Sequence, residues 1–122
     1  MPMTTRVPRE RLMEYFDTFT QRFLQDGSPE AADVEIVEPD WGDQFVAQSV
    51  RLRGVTYDPH VNALEFALDL GEKRWGDHRV HDPSEVWTLE EEDGFLSAIE
   101  VVHGDSSREI VSVKRVGLRR LA

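Results

Sequence analysis

The side chains best suited to chemistry lie in two polar segments, at residues 57–62 and 71–83. Imidazole and carboxylate groups together can bind a transition-metal ion or a small polar ligand. In the second segment two residues separate His78 from His81, and Asp82 follows directly. From both segments we select one set of candidate ligand-binding residues: Asp58, His60, Trp75, His78, His81 and Asp82.

The spacing of these residues argues against a tight metal site. A His-x-x-His pair on an irregular segment lacks the one-face geometry of a helical His-Glu-x-x-His motif. The chain has no cysteine, which excludes thiolate ligands and disulfides. Histidines that hydrogen-bond to backbone or carboxylate groups are the simpler interpretation, so we predict no metal and no cofactor. A metal-dependent or small-ligand-binding protein that uses residues 77–82 is the alternative.

No catalytic pattern is recognised in the sequence. None of the serines lies in a Gly-x-Ser-x-Gly elbow, and no Gly-x-Gly-x-x-Gly or phosphate-binding loop occurs. The acidic run at residues 90–93 lacks the ligand spacing and central glycine of an EF-hand loop, and we interpret it as a solvated turn. We therefore predict no catalytic residue and favour a non-enzymatic protein.

The tryptophans have two interpretations, of which capping of the core is favoured over an interface. Trp41, Trp75 and Trp87 lie in or beside predicted turns or on an edge-like strand. Tryptophan is enriched at protein–protein interfaces, although capping of the core is the competing interpretation. Trp75, in a polar segment, is the preferred interface candidate.

The elements that must position these side chains follow from the apolar periodicity. Residues 8–25 predict a helix with an aromatic and aliphatic stripe, and about six strands follow at 33–38, 44–56, 63–70, 84–90, 95–103 and 108–116. Between residues 63 and 70 the apolar residues alternate with others, as in a strand with one buried face. Gly54 indicates a bulge or bend that lets one strand serve both halves of a curved sheet. Residues 71–83 are predicted to be irregular.

These elements predict one α+β domain over residues 1–122. The N-terminal helix packs on a curved antiparallel sheet, or on a small, partly open barrel, of five to six strands. A helix before a bent barrel is also reminiscent of Sm-like RNA-binding proteins, which gives a second alternative by analogy of fold alone.

The charge of the chain disfavours that alternative. The net charge is −10 and the pI is about 4.8, so a phosphate backbone would be repelled. No apolar run resembles a membrane span or a signal peptide, and we expect a cytoplasmic protein that binds neither nucleic acid nor membrane. Basic residues are concentrated at the two ends of the chain, and the acidic excess lies between them.

Five different short motifs are distributed along most of the chain: Tyr15-Phe16-Asp17, Gly42-Asp43-Gln44, Leu52-x-Gly54-Val55-Thr56-Tyr57-Asp58-Pro59, Ala63-Leu64-Glu65, and Asp77-His78-Arg79-Val80 followed by Pro83. Together they resemble an uncharacterised bacterial family, domain of unknown function number 5335. The resemblance implies a single-domain bacterial protein. It brings no known activity, so it implies no catalytic residue.

The function that we predict is that of a non-enzymatic bacterial accessory or protein-interaction module. We expect a homodimer or another protein partner, because an antiparallel sheet that stays open has two free edges. An exposed strand edge or the tryptophan-bearing rim is the predicted contact surface. The basic ends and the acidic body also offer complementary charges, which steer association.

Overall fold

The computed structural model describes residues 2–24, 30–38, 42–71 and 74–115. After strand β1 (Met3–Arg6), the N-terminal helical segment begins with a 3₁₀ turn at Arg9–Arg11. It continues as helix α1 (Leu12–Phe19) and ends in a π-helical turn at Thr20–Leu24. Its apolar stripe is buried, with Phe16 completely covered. No helix in the described ranges is both long and apolar enough to cross a membrane.

Eight strands form one antiparallel sheet in the order β1-β6-β7-β8-β2-β3-β4-β5. The seven strands after the helix are β2 (Glu30–Glu38), β3 (Gly42–Asp58), β4 (Ala63–Gly71), β5 (Arg74–His81), β6 (Glu85–Glu90), β7 (Leu96–Val102) and β8 (Arg108–Arg115). Strands β1 and β5 stand at the two ends of this order, so backbone pairing does not close the described strands into a barrel. The α+β class, with the helix packed on a curved antiparallel sheet, is confirmed.

Two strands lie outside the six ranges that the sequence predicted. The prediction that residues 71–83 are irregular is wrong, because β5 occupies most of them. On this strand Asp77, Arg79 and His81 are exposed while Val80 is buried. An edge strand with polar residues at its outward positions has the composition of a loop, and for this reason the sequence pattern predicted irregular structure instead of β5. Strand β1 is too short to show a period.

Strand β3 is the element that curves the sheet. Its first part pairs with β2 as far as Arg51, and its second part pairs with β4 from Arg51 to Asp58. The β3–β4 register shifts between Leu52 and Gly54, which places a bulge where the sequence has its glycine. One long strand therefore belongs to two halves of the sheet. We call strands β1, β6, β7, β8 and β2 the large half. The small half consists of β4, β5 and the part of β3 that pairs with β4.

The helical segment is fixed to β3 beyond the end of β2. The Thr20 hydroxyl accepts a hydrogen bond from Val55 N and donates one to Val55 O, each at 3.0 Å. Both groups are buried, and the β2 pairing of β3 has ended before this point. The threonine therefore supplies the hydrogen-bond partner that β2 would have provided if it had continued alongside β3.

The core lies between the inward faces of the two halves and the helix. In β4 the predicted alternation is present: Leu64, Phe66 and Leu68 are buried, whereas Glu65 and Asp69 are partly exposed. The completely covered side chains come from the helix and from both halves of the sheet: Phe16, Leu52, Val55, Leu64, Phe66, Val80, Val86, Leu96, Ile99, Val101 and Val111.

Candidate functional site

The core contains one ionisable cluster, which we call the histidine–glutamate cluster: His78, His103 and Glu109. Glu109 lies near the start of β8 on its inward face and is only 8% exposed. Its Oε1 contacts His78 Nε2, and its Oε2 lies 2.6 Å from His103 Nε2. One buried carboxylate therefore holds two imidazoles, one on each oxygen.

The curvature of the sheet brings His78 to Glu109. His78 lies on β5 at the edge of the small half, and its inward ring lies beside its register partner Phe66, with ring centroids 6.3 Å apart. Glu109 lies on β8 in the large half. Strands β2, β3 and β4 separate β8 from β5 in the sheet, so the contact requires the two halves to face each other. The cluster ties an edge strand to the opposite half through side chains alone.

A tight turn between β7 and β8 positions His103. His103 N donates to Ser107 O at 2.9 Å, and Ser106 N donates to His103 O at 3.1 Å. Asp105 Oδ1 accepts hydrogen bonds from the Ser107 hydroxyl at 2.6 Å and from Ser107 N at 3.0 Å. These two bonds lower the pKa of the Asp105 carboxyl. The turn is thus internally hydrogen-bonded, and it places His103 beside Glu109.

Glu109 is ionised at neutral pH. Burial acts to raise the pKa of its carboxyl, but the hydrogen bonds from His78 and His103 outweigh burial, and the pKa lies below its ordinary value of 4.5. Because an ionised carboxylate can only accept, each Nε2 must carry the proton that it shares with Glu109. In the neutral ring Nδ1 is then the acceptor.

This arrangement suits a structural tie better than a metal centre. A metal ion needs unprotonated ring nitrogens that converge on one point, whereas the two Nε2 atoms bond to different oxygens of Glu109. Within the described ranges, no group of three or more histidine, aspartate or glutamate side chains is arranged to hold a metal ion. The chemistry that remains is hydrogen bonding and proton uptake.

The structure separates the two histidines that the sequence placed together. His78 faces the core, whereas His81, three residues later on the same strand, is exposed on the outer face. Asp58 Oδ1 accepts a hydrogen bond from His60 N at 2.9 Å, so these two residues form a local turn contact. Both are exposed.

The remaining candidates lie apart from the cluster. Asp82 has a φ of 51°, and its N–H donates to Asn62 O at 2.9 Å, which joins the end of β5 to the β3–β4 turn. Trp41 and the side chain of Trp75 lie outside the described part of the chain. Of the six candidate ligand-binding residues, only His78 belongs to the cluster.

Sequence reasoning missed Glu109 and His103. Glu109 carries a detectable signal, since it shares the parity of Val111 and Val113, so a carboxylate stands on the apolar face of a strand. His103 carries no such signal, because its place depends on the geometry of the following turn.

A second polar contact links the helix to β6. Tyr15 donates its hydroxyl hydrogen to Glu90 Oε2 at 2.9 Å, so the Thr88 hydroxyl, at 2.8 Å, donates to the tyrosine oxygen. Burial is the main cause that raises the pKa of the Tyr15 phenol to about 12, and the neighbouring Glu90 carboxylate adds to it. The phenol is neutral over the physiological range and fixes the helix on the sheet.

The outer faces of the two halves of the sheet differ in character. On β6, β7 and β8 the buried residues alternate with half-buried ones that point outward, and the apolar members of this outward set are Trp87, Leu89, Ala98, Val102 and Ile110. On the small half the described outward set is polar and charged apart from Ala67: Arg53, Thr56, Asp58, Glu65, Asp69, Asp77, Arg79 and His81. We call the outward surface of the large half the Trp87 face.

The Trp87 face is ordered in rows across the strands. One row runs Arg6, Trp87, Glu100, Ile110, Glu35 from β1 to β2. The next runs Thr4, Leu89, Ala98, Ser112, Asp33. A third contains Glu85, Val102 and Arg108. The helix packs on the opposite, inward side, where Tyr15 reaches Thr88. Apolar side chains on an open sheet face are typical of a contact surface.

Comparisons with known proteins agree with the resemblance seen in the motifs. The sequence matches the family described as "Family of unknown function (DUF5335)" over residues 3–117. An uncharacterized protein of Aquifex aeolicus (strain VF5) is 30% identical over 111 residues, which cover 91% of this chain and 92% of the relative. No solved structure matches the chain. Because the match spans nearly the whole chain, the protein belongs to the family of unknown function DUF5335.

Proposed function

We propose that this chain is a non-enzymatic interaction module that binds a partner protein through the Trp87 face. The observation that carries the proposal is the contrast between the two outer faces, one with Trp87, Leu89 and Ile110 and the other polar or charged at its described positions apart from Ala67. A water-exposed sheet face normally carries polar residues at its outward positions. The large half departs from this rule over three adjacent strands.

The polar groups of the Trp87 face resemble the rim of an interface. Trp87 Nε1 donates to Glu85 Oε1 at 2.9 Å, and Arg108 Nη1 donates to Glu100 Oε1 at 3.0 Å. Interfaces typically combine aromatic and aliphatic contacts with hydrogen-bonded charges of this kind. Tryptophan and arginine are also the residue types that most often dominate binding energy.

The histidine–glutamate cluster supports a non-catalytic role. Both imidazoles direct Nε2 at the buried carboxylate of Glu109 rather than outward. The metal-dependent alternative at residues 77–82 is not part of the proposal, since His78 and His81 lie on opposite faces of β5. A cytoplasmic location and the absence of nucleic-acid binding stay predictions.

Site-specific photo-cross-linking in living cells tests the proposal. A photoreactive phenylalanine analogue replaces Ser112, which is on the Trp87 face, or Thr56, which is on the polar face of the small half. We expect a protein adduct from position 112 and none from position 56. The absence of an adduct at position 112, or equal adducts at both positions, would contradict the proposal.

A further inference from the structure

We infer that the partner on the Trp87 face is a second copy of the same chain, related by a two-fold axis that runs along β7. This inference rests on the proposed function and names its partner. Among the five strands that carry the rows of the Trp87 face, β7 is the central one, with β6 and β1 on one side and β8 and β2 on the other, and the first part of β3 continues beyond β2. A two-fold axis along β7, between two stacked sheets, lays β6 of one copy over β8 of its partner and β1 over β2.

The first and third rows of the face are self-complementary under this operation. In the first row Trp87 of one copy meets Ile110 of the other, and Arg6 meets Glu35. An aromatic ring thus covers an aliphatic side chain, and an arginine covers a carboxylate. A two-fold interface requires this property, because one patch must fit itself.

The third row also pairs an acidic with a basic residue, but here the acidic residue lies on the β6 side of β7 and the basic residue on the β8 side. Glu85 on β6 meets Arg108 on β8 of the partner, while Val102 on β7 meets its own copy. The side chains of Glu85 and Arg108 are 39% and 48% exposed, so both can reach across. Two identical Glu85–Arg108 contacts would form, one on each side of the axis.

The axis also brings the two copies of Glu100 together, which would be unfavourable if they were unpaired. Each Glu100 already accepts a hydrogen bond from Arg108 of its own chain. The arginine offsets the charge of this carboxylate and lies opposite Glu85 of the partner. Each Glu100 therefore approaches its copy as the carboxylate of an ion pair rather than as a free charge.

The size of the face suits a dimer of this kind. Five strands about 4.8 Å apart, with outward positions that extend about 20 Å along each, give a flat area of about 500 Å². The accessible surface of a side-chain layer exceeds its flat area, which brings the face close to the about 800 Å² per partner of a stable interface. Two twisted sheets stack with their strands at about 30° to each other, which keeps the rows over one another near the axis and offsets them by about 5 Å at β1 and β2, within the reach of an arginine side chain.

Sedimentation velocity at micromolar concentration tests the inference on the full chain. The wild type, with a chain mass of 14.0 kDa, is expected to sediment as a dimer. Glu85→Arg or Arg108→Glu alone places like charges opposite each other and should weaken dimerisation by about tenfold or more. The double variant E85R/R108E again places opposite charges across the interface, although Glu100 loses its own arginine, and it should dimerise more tightly than Arg108→Glu alone.

The control variant is Arg79→Glu, which breaks an exposed ion pair with Glu65 on the other face. It should leave the dimer unchanged, and circular dichroism confirms that each variant is folded. A monomeric wild type at 100 µM would overturn the inference, as would a double variant no more dimeric than Arg108→Glu alone.

The cross-linking experiment separates this inference from the proposed function. An adduct from position 112 with twice the mass of the chain supports both. An adduct of any other mass overturns the homodimer and leaves the interaction module standing. No adduct at position 112, together with a monomer in sedimentation, removes both.

Discussion

Glu109→Gln is the substitution that tests the account of the histidine–glutamate cluster most directly. The amide has the shape of the carboxylate but no charge, and one of its two ends donates instead of accepting. It can still accept from one imidazole. The other imidazole faces an N–H group and must move its own proton to Nδ1 or lose the hydrogen bond.

The expected loss follows from the contacts of Glu109. A hydrogen bond to a charged group contributes about 1.5–3 kcal/mol, and Glu109 accepts two of them. The glutamine retains one bond in weaker form, and the removal of a buried charge recovers part of the desolvation cost. We expect a loss of about 1–2 kcal/mol in the free energy of unfolding at pH 7. Glu109→Leu, which leaves both imidazoles without a partner, should lose about 2–4 kcal/mol.

The pH dependence of stability shows whether the ionised Glu109 carboxylate stabilises or destabilises the fold. The pKa of Glu109 is lowered in the folded state from its ordinary 4.5, so the charged form stabilises the fold. This contribution is fully present above about pH 4.5 and is lost as the pH falls through the lower, folded-state pKa. The difference between wild type and Glu109→Gln should therefore be larger at pH 5.5 than at pH 3.5.

Urea unfolding followed by circular dichroism measures these differences. Protein concentration must be fixed, because dimerisation would make the apparent stability depend on it. The matched control is Glu65→Gln, which also removes a carboxylate from a cation, here Arg79 on the outer face. Exposed pairs contribute about 0–1 kcal/mol. A Glu109→Gln protein as stable as wild type, or a difference that grows on acidification, would refute the reasoning.

Three further substitutions test the packing of the helix on the sheet. Phe66→Ala empties a completely buried position and should cost about 3–5 kcal/mol in urea unfolding, whereas a loss below about 1 kcal/mol would contradict the core described above. Thr20→Val leaves the N–H and C=O of Val55 unpaired, so it should cost about 1–3 kcal/mol and speed amide exchange at Val55; unchanged exchange would count against this anchor. Tyr15→Phe should remove the tyrosinate absorbance that appears near pH 12. Because the folded pKa exceeds the ordinary 10.0, wild-type stability from this group falls as the pH rises from 10 to 12, and a Tyr15 that ionises near pH 10 would disprove its burial against Glu90.

Elements with a local pattern could be predicted from the amino-acid sequence. The alternation of Leu64, Phe66 and Leu68 depends only on the period of a strand, and the apolar stripe of the helix depends only on the helical period. Gly54 predicted the bulge in β3, because glycine permits the backbone bend that a bulge requires. These features needed no knowledge of which strands become neighbours.

Contacts between residues distant along the chain depend on the fold as a whole. His78, His103 and Glu109 come together because the sheet curves at β3 and brings its edge strand over the opposite half. The rows of the Trp87 face exist because β1 and β2, far apart along the chain, flank β6, β7 and β8. Strand order and curvature arise from burying all the apolar faces at once, and no short window of sequence contains that condition.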